Sequence, residues 1–315
     1  MQRWRGLDST PSGWGRSVVT IGVFDGVHRG HQQIIGRAVE RARAGGHSSV
    51  LMTFDPHPSE VVRPGSHPPI LTSQRTKADL VETLGVDVFC VIPFTPDVMR
   101  LAPDEFVHTM LVSSLHASAV VVGENFRYGR KAAGDVAALT RSGRTAGFAV
   151  EGVPLLEEHS GADESGPGTT ISSTFIRSCI AGGDVSAAAH ALGRPHRVEG
   201  VVVRGDGRGA GIGYPTANLA AVAHAAVPAD GVYAGRLHRA GQVLPLAISI
   251  GTNPTFEGQE RRIEGFVLDF QGDLYGEHVS FEFVERLRAT ERYDNLDALL
   301  EQMARDVERT RAILA

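Results

Sequence analysis

The sequence predicts an α/β protein with two domains, a three-layer unit built on a parallel sheet and then a small antiparallel β-barrel with a C-terminal helix. Residues 18 to about 155 alternate helical stretches with short strands that are apolar throughout, which is typical of a parallel sheet covered on both faces. From Arg197 onward, strands with polar and apolar alternation are separated by turns. At 315 residues the chain is long enough for two cores.

In the first domain, apolar runs and helical spacing alternate along the chain. The predicted strands are Val18–Ile21, Ser49–Phe54, Asp87–Phe94, Ala117–Gly123 and Ala146–Leu155. The predicted helices are Gly30–Ala44, Ser73–Leu84, Pro103–Leu115 and Ala133–Ser142. Because ligands bind beyond the carboxyl ends of the strands in such sheets, we expect the chemistry in the loops Gly22–His31, Asp55–Pro58 and Glu124–Gly129.

The polar, glycine-rich segment Glu157–Gly168 is predicted to be a mobile surface loop, and two short helices follow it at Ser173–Ala181 and Asp184–Leu192. The predicted barrel strands are Arg197–Arg204, Gly231–Arg239, Leu244–Gly251, Arg261–Phe270 and His278–Leu287. The last element is a helix over Asn295–Ala312. Its predicted apolar face consists of Leu296, Leu299, Leu300, Met303 and Val307.

The composition, 42% hydrophobic and 21% charged, is that of a soluble globular protein. A net charge of -5 gives no reason to expect nucleic acid or an anionic membrane as a partner. Cys90 lies in an apolar run and is predicted to be a buried free thiol. Since neither a membrane span nor a signal peptide is visible, we expect a cytoplasmic location. The oligomeric state stays open, a homo-oligomer included.

The most informative segment runs from Thr20 to His31. A strand stops at Gly22, turns through Asp25-Gly26 and brings His28 and His31 into the first turn of a helix. Such a helix N-terminus favours anions, because unpaired backbone N–H groups and the helix dipole both point at the ligand. Two surface imidazoles or part of a metal site are the alternatives, and the metal case is weak because suitably spaced further ligands are lacking.

Three further segments of the first domain carry polar side chains where a nucleotide site would need them. Asp55-Pro-His-Pro58 ends the second strand, although a simple proline turn explains it equally well. Gly123–Gly129 is a polar, aromatic loop suited to a base or ring system. Ser172–Arg177 starts a helix with hydroxyls and places Arg177 one turn along, and an ordinary N-cap is the alternative.

In the second domain, a glycine-rich stretch runs into Pro215-Thr-Ala-Asn218. The glycines alone favour a plain loop, and no Gly-Lys-Ser/Thr follows them as in a Walker A sequence. Thr216 and Asn218 point the same way on a strand, and their oxygens are hard ligands that suit Mg²⁺.

Together these segments resemble the prokaryotic bifunctional riboflavin kinase/FMN adenylyltransferase family, also called FAD synthetases. In the first domain the resemblance rests on Gly22–His31, Gly123–Gly129 and Ser172–Arg177. The first of these alone marks only a broader nucleotidyltransferase superfamily. In the second domain it rests on Pro215–Asn218, Pro228–Ala234, Gly251–Phe256 and Asp273–Gly276. The likeness extends from about Trp4 to Ala312.

The resemblance implies a Rossmann-like nucleotidyltransferase domain over residues 1–183. His28 and His31 would then bind the ATP phosphates and stabilise charge as the FMN phosphate attacks and pyrophosphate leaves. Asn125 would position the phosphates or FMN. The other residues implied on the ATP side are Gly22, Phe24, Ser173, Thr174 and Arg177. The residues implied on the flavin side are Phe54, His57, Asn125 and Tyr128.

For residues 184–315 the resemblance implies a riboflavin kinase domain. Thr216 and Asn218 would hold Mg²⁺ and ATP phosphates, and Glu264 would accept the ribityl hydroxyl proton. Gly207, Gly213 and Pro215 would line the ATP side, while Glu264 and Arg288 would contact the flavin. ATP is the implied co-substrate, riboflavin and FMN are the flavin substrates, and FMN and FAD are the products.

Two positions depart from the family pattern. Thr170 and Ala210 stand where family members usually carry basic residues, although Arg208 remains. Thr170 motivates an alternative, a riboflavin kinase with a weakened or analogue-specific adenylyltransferase domain. A second alternative is that the first domain adenylylates an acceptor other than FMN, such as a phosphopantetheine or an analogue flavin, but this would leave the barrel domain unexplained. A flavin-binding protein without turnover is a third alternative, and the intact candidate catalytic side chains argue against it.

Overall fold

The structure is a computed structural model that describes residues 1–158, 168–205, 213–255 and 258–315. Contacts between Cα atoms divide the chain into two compact units. The first unit comprises Met1–Pro68 and Thr72–Ser172, and the second comprises Pro69–Leu71 and Ser173–Ala315. The domain boundary between residues 183 and 184 stays a prediction.

The first unit is built on a parallel sheet, as predicted. Its strands are β1 (Gln2–Arg5), β2 (Ser17–Ile21), β3 (Ser48–Asp55), β4 (Val88–Pro93), β5 (Ala117–Gly123) and β6 (Ala149–Val153). Their order across the sheet is β1-β4-β3-β2-β5-β6, and every neighbouring pair is parallel. The sequence did not predict β1, because only Trp4 among its four residues is buried.

Helices cover both faces of this sheet. They are α1 (Arg29–Gly45), α2 (Pro58–Val62), α3 (Gln74–Thr83), α4 (Pro96–Arg100), α5 (Pro103–Phe106), a π-helix (Val107–Ser114) and α6 (Val136–Ala146). The helix predicted over Pro103–Leu115 is present, although its first turn is α-helical and the rest is a π-helix. The predicted strand Ala146–Leu155 is too long, because α6 extends to Ala146 and ends at Gly147 in the left-handed conformation.

A short hairpin follows the sheet. Its strands are β7 (Glu157–Glu158) and β8 (Thr169–Thr170), which pair in antiparallel fashion. The rest of the predicted loop, residues 159–167, lies outside the described residues. The buried Cys90 is a free thiol, as predicted, and burial raises its pKa to about 12.

The second unit is a closed antiparallel barrel preceded by two helices, which confirms the predicted architecture. The helices are α7 (Ser173–Gly182) and α8 (Val185–Leu192). The barrel strands are β9 (His196–Val203), β10 (Thr216–Ala221), β11 (Gly231–Arg239), β12 (Gln242–Thr255), β13 (Gly258–Val267) and β14 (His278–Arg288). Around the barrel the order is β10-β13-β12-β11-β14-β9. The largest fully buried side chains inside it are Tyr233, Phe281 and Phe283.

The terminal helix α9 (Leu296–Leu314) is present as predicted, but its buried face differs from the prediction. Leu296 is 52% exposed, while Asp306 and Thr310 are buried. An ion pair accounts for the burial of Asp306, whose carboxylate accepts hydrogen bonds from Arg288 at the end of β14, at 2.8 Å from Nη2 and 3.0 Å from Nε. A charged contact thus replaces part of the expected apolar seam. Among the described residues no helix is long and apolar enough to cross a membrane.

Candidate active sites

The loops that the sequence singled out follow the carboxyl ends of three neighbouring strands, β2, β3 and β5. The strands β2 and β5 are neighbours, and the chain leaves β2 toward β3 but leaves β5 in the opposite direction, toward β6. Such a reversal of strand order opens a crevice at the carboxyl edge of a parallel sheet. The segment Gly22–His31 begins at this point.

The turn after β2 holds a tightly fixed backbone. Phe24 and Val27 have φ values of 50° and 42°, in the left-handed region that side chains with a Cβ rarely adopt. A Cβ at Gly22 would lie 3.1 Å from the Phe24 ring, so glycine permits the ring to fold back over the strand end. The buried Asp25 accepts a hydrogen bond from the Thr72 backbone N–H at 3.1 Å. The Gly26 N–H in turn donates to Thr72 Oγ1 at 3.0 Å, so residue 72 holds the turn at two points.

The two histidines stack at the start of α1. His28 is 5% exposed and caps the helix, since its Nδ1 accepts a hydrogen bond from the His31 N–H at 3.3 Å. The ring centroids are 3.5 Å apart. A Cβ at Gly30 would lie 3.3 Å from the His28 ring, so the glycine between the histidines admits this close stack. Because Nδ1 of His28 accepts, Nε2 is the nitrogen of that ring that carries the proton in the neutral form.

His31 is half-buried, with one ring nitrogen shielded from solvent. That nitrogen, Nδ1, makes no hydrogen bond to any residue that the structure describes, and the ring packs edge-on against Phe24 with centroids 5.2 Å apart. Burial, together with the nearby His28 and Lys77, holds the pKa of His31 well below its usual range. The imidazole is therefore neutral near pH 7. A neutral ring offers an N–H donor to a phosphate oxygen, and an orphaned buried nitrogen is the kind of group that a ligand satisfies.

The loop after β5 separates its polar and aromatic side chains. Asn125 is exposed at the strand end, where it can reach a ligand. Tyr128 is only 5% exposed and packs in the core, 5.4 Å from Phe106 between ring centroids. Phe126 is half-buried and stacks on Tyr128. A direct flavin contact by Tyr128 would require its ring to leave this packing, whereas Phe126 already lies nearer the surface.

The segment after β3 is also engaged in local structure. Phe54 is 9% exposed and packs edge-on against Phe94, with centroids 5.5 Å apart. His57 caps α2, because its Nδ1 accepts from the Ser59 N–H at 3.2 Å. Both observations agree with the alternative of a structural turn, and the flavin-side roles of Phe54 and His57 stay predictions.

The hydroxyl and guanidinium side chains of Ser173, Thr174 and Arg177 lie on α7, at the beginning of the second unit. Arg177 Nε donates to the Pro69 carbonyl at 2.7 Å, within that same unit. The structure therefore does not group these residues with His28 and His31 in one compact unit.

On the barrel, strand register brings together residues far apart in the sequence. Asn218 on β10 lies directly opposite Glu264 on β13, and Thr216 shares their face because it is two residues away. Thr216 Oγ1 donates to Glu264 Oε2 at 3.4 Å. All three side chains are half-buried. A hydroxyl, an amide oxygen and a carboxylate thus converge, and this oxygen donor set fits Mg²⁺ bound together with phosphates.

Two cavities flank β10. One of about 350 Å³ is lined by Pro215, Thr216, Phe270, Asp273, Leu274 and Tyr275 among others. The other, of about 460 Å³, reaches Asn218 and the basic side chains Arg204, Arg261 and Arg262. A Cβ at Gly205 would fall 2.2 Å from Asn218 Nδ2, so this glycine lets the Asn218 amide lie against the backbone.

The structure describes two of the three other site residues predicted in the second unit. Gly213 is described and has a φ of 86°, a conformation that favours glycine. Gly207, like the neighbouring Arg208 and Ala210, lies outside the described residues. Arg288 is engaged by Asp306, and its guanidinium lies 5.8 Å from the ring centroid of Tyr293. A flavin contact by Arg288 would have to share this group with α9.

Sequence reasoning missed one buried charge beside the first site. Lys77 on α3 is 3% exposed, and its Nζ donates to the Val23 carbonyl at 2.7 Å. One signal was available in the sequence, since Lys77 and Lys131 are the only lysines in a chain with 31 lysine and arginine residues.

No group of three or more His, Cys, Asp or Glu side chains within the described ranges could hold a metal ion.

Comparison with known proteins gives consistent matches along the whole chain. The family model for FAD synthetase matches residues 10–166, and that for riboflavin kinase matches residues 192–314. Bifunctional riboflavin kinase/FMN adenylyltransferases from Listeria monocytogenes and Pseudomonas fluorescens are each 35% identical. The matches cover 95% of this chain and 92% of the Listeria protein, and 100% and 98% for the Pseudomonas protein. A crystal structure titled a macrolide-efflux protein from Streptococcus pneumoniae aligns over 99% of both chains, with a TM-score of 0.87 and 32% identity.

Proposed function

Since the chain belongs to the family of bifunctional riboflavin kinase/FMN adenylyltransferases, we propose that its two activities divide between its two compact units. The enzyme phosphorylates riboflavin to FMN and adenylylates FMN to FAD, with ATP as co-substrate of both steps. One observation carries the division. The FAD synthetase match, residues 10–166, falls within the first unit except for Pro69–Leu71, and the riboflavin kinase match, residues 192–314, falls within the second.

In the kinase step, Glu264 accepts the proton of the ribityl hydroxyl as its oxygen attacks the γ-phosphate of ATP. The register with Asn218 and the contact with Thr216 hold this carboxylate beside the two other oxygen donors. Thr216 and Asn218 would hold a Mg²⁺ ion, which would neutralise charge on the phosphates when bound. The cavities beside Thr216 and Asn218 offer space for nucleotide and flavin, and Arg288 is the candidate flavin contact at the end of β14.

In the adenylyl step, the FMN phosphate attacks the α-phosphate of ATP and pyrophosphate leaves in line. The stacked imidazoles of His28 and His31 donate hydrogen bonds to the phosphates from the N-terminus of α1 and stabilise the charge that develops. The low pKa of His31 supports this role as a neutral donor rather than as an acid. Asn125 orients the phosphates or FMN. The roles of Ser173, Thr174 and Arg177 toward the triphosphate rest on the family resemblance alone.

The alternative of a kinase with a weakened first unit is not favoured. Its motivation is Thr170, on β8, where a basic residue is usual. The FAD synthetase model nevertheless matches across the segment that contains His28, His31 and Asn125. A cytoplasmic location, the lack of a nucleic-acid partner and the oligomeric state stay matters of prediction from the sequence.

Product analysis tests the proposal. Purified protein with riboflavin, ATP and Mg²⁺ is expected to yield FMN, ADP, FAD and pyrophosphate. A parallel reaction supplied with FMN and ATP isolates the second step, and EDTA is expected to stop FMN formation. If FMN and ATP gave no FAD while riboflavin was still phosphorylated, the adenylyl assignment of the first unit would be wrong.

A further inference from the structure

Lys77 reaches from α3 to the backbone of the phosphate-binding turn. Its Nζ donates to the Val23 carbonyl at 2.7 Å, and Thr53 Oγ1 donates to the same oxygen at 3.0 Å. The next residue is Phe24, which has the left-handed backbone and packs against His31. A continuous set of contacts therefore runs from the Lys77 ammonium through the Val23 peptide and the Phe24 ring to His31.

This ammonium is not needed to complete the core. The Val23 carbonyl already accepts from Thr53, so removal of Lys77 would leave no unsatisfied oxygen there. A long apolar side chain would fill the same space without the cost of burying a charge. A buried cation that the fold retains at a cost, next to reacting groups, indicates a role in the reaction.

Lys77 also differs from the cations elsewhere in the chain. Arginine supplies nearly all the positive charge, and the exposed Lys131 is the one other lysine in the sequence. An ammonium is a compact charge on a flexible stem whose pKa shifts readily on burial. Burial lowers the pKa of Lys77 to about 8, against the opposing effect of the Asp25 and Asp55 carboxylates. The titratable groups that interact with Lys77 are thus these two carboxylates, which favour its charged form, and His31, whose protonation the Lys77 charge disfavours.

We propose that Lys77 is a positioning residue for adenylyl transfer, which fixes the Val23–Phe24 peptide and thereby the place of the His31 ring. Its positive charge also disfavours protonation of His31 and so preserves the neutral imidazole as a donor. The inference rests on the assignment of adenylyl transfer to the first unit. It extends that site to a residue on a different helix that need not touch the substrates.

The test compares Lys77→Met and Lys77→Arg with the unaltered enzyme, with FMN and ATP as substrates. Lys77→Met is expected to lower kcat for FAD formation by about tenfold to a hundredfold, the scale of a misplaced catalytic group. Lys77→Arg, which keeps the charge, is expected to recover part of the loss. Lys131→Met is the matched control, and riboflavin phosphorylation in the barrel reports whether each variant chain is intact.

A pH profile distinguishes positioning by a charge from simple packing. In the unaltered enzyme, kcat/KM for FAD formation should fall as the pH rises through about 8, because the free enzyme then loses the Lys77 proton. Lys77→Met should lack this alkaline limb, and Lys77→Arg should move it to higher pH. Selective ¹³C labelling of lysine gives a second readout, since the Lys77 Cε signal should titrate near pH 8 with Lys131 as the exposed reference.

Several outcomes would overturn the proposal. One is a Lys77→Met enzyme whose FAD formation stays within about twofold of the unaltered rate with the same alkaline limb. Should that variant fail to fold, an unchanged limb in Lys77→Arg, or a Lys77 signal that does not titrate near pH 8, would also contradict it. Absence of FAD with the unaltered enzyme is a different failure, because it rejects the adenylyl assignment itself.

Discussion

The two candidate sites differ in how the chain brings their residues together. The first is nearly contiguous, since Gly22, Phe24, His28 and His31 follow one another around a single turn at the edge of a parallel sheet. The second joins Thr216 and Asn218 to Glu264, a residue 48 positions beyond Thr216, through the register of two antiparallel strands. One site is a local backbone structure, and the other is a property of the closed barrel.

This difference has a physical consequence for each reaction. In the first site the proposed hydrogen-bond donors are imidazoles and backbone N–H groups, which are held by left-handed residues and by Thr72 and Lys77. On the proposed mechanism, these donors are fixed in advance of the reaction and would stabilise the charge of the transition state. In the second site the three oxygen-bearing side chains are half-buried on one face of the neighbouring strands β10 and β13. Each side chain can be changed without rebuilding the backbone. Mutations should therefore separate the two activities cleanly.

The largest expected effect is on the barrel. Glu264→Gln should lower FMN formation by about 10²- to 10⁴-fold, because it removes the proposed acceptor of the hydroxyl proton. Adenylylation of supplied FMN should be unchanged. Both rates are measured on one preparation by separating FMN and FAD chromatographically.

Glu285→Gln on β14 serves as the control, since Glu285 contacts Arg309 rather than the site. Full FMN formation by Glu264→Gln would show that another group accepts the proton.

The next effect is on the first site and separates capping from chemistry. His28→Ala should lower FAD formation by about 10²- to 10³-fold, the cost of one lost donor to a developing charge. It should also destabilise the first unit by about 1 kcal/mol through loss of the helix cap. His28→Asn keeps a cap acceptor but no imidazole, so it should lose activity with little change in the unfolding free energy measured by denaturant titration.

Near-normal FAD formation by His28→Asn would show that the helix N-terminus alone suffices. The two sites would then both depend on backbone and oxygen donors, and the contrast between them would weaken.

The smallest effect concerns the departure at Thr170. Thr170→Arg restores a basic residue on β8 and should lower KM for ATP in FAD formation by about twofold to fivefold, the scale of a partly exposed charge contact. Thr169→Arg is the matched control, because neighbouring strand residues point to opposite faces. Equal effects from both variants would indicate general attraction of ATP rather than a specific contact.

The sequence predicts the contiguous first site more completely than the site on the barrel. His28 and His31 are recognisable as candidates because the strand, the turn and the histidines are adjacent in the sequence. The strands that are apolar throughout predict the parallel sheet. The pairing of Asn218 with Glu264 depends on the register of the barrel, which local patterns do not encode. The ion pair of Arg288 with Asp306 likewise joins a strand to the terminal helix, and the sequence pattern of that helix indicates only an amphipathic helix and not this contact. The burial of Lys77 was not predicted because a single lysine on an amphipathic helix usually lies on the exposed face.

The pairing of β10 with β13 also sets limits on insertions and deletions during evolution. Loss of one residue between Thr216 and Asn218 would turn one of them to the opposite face of the strand, because side chains alternate with a period of two. We therefore expect single-residue length changes between Thr216 and Asn218 to cost more kinase activity than substitutions elsewhere on these two strands. A deletion scan would therefore reveal the kinase site as two short stretches of fixed length in a chain that tolerates length variation at its exposed turns.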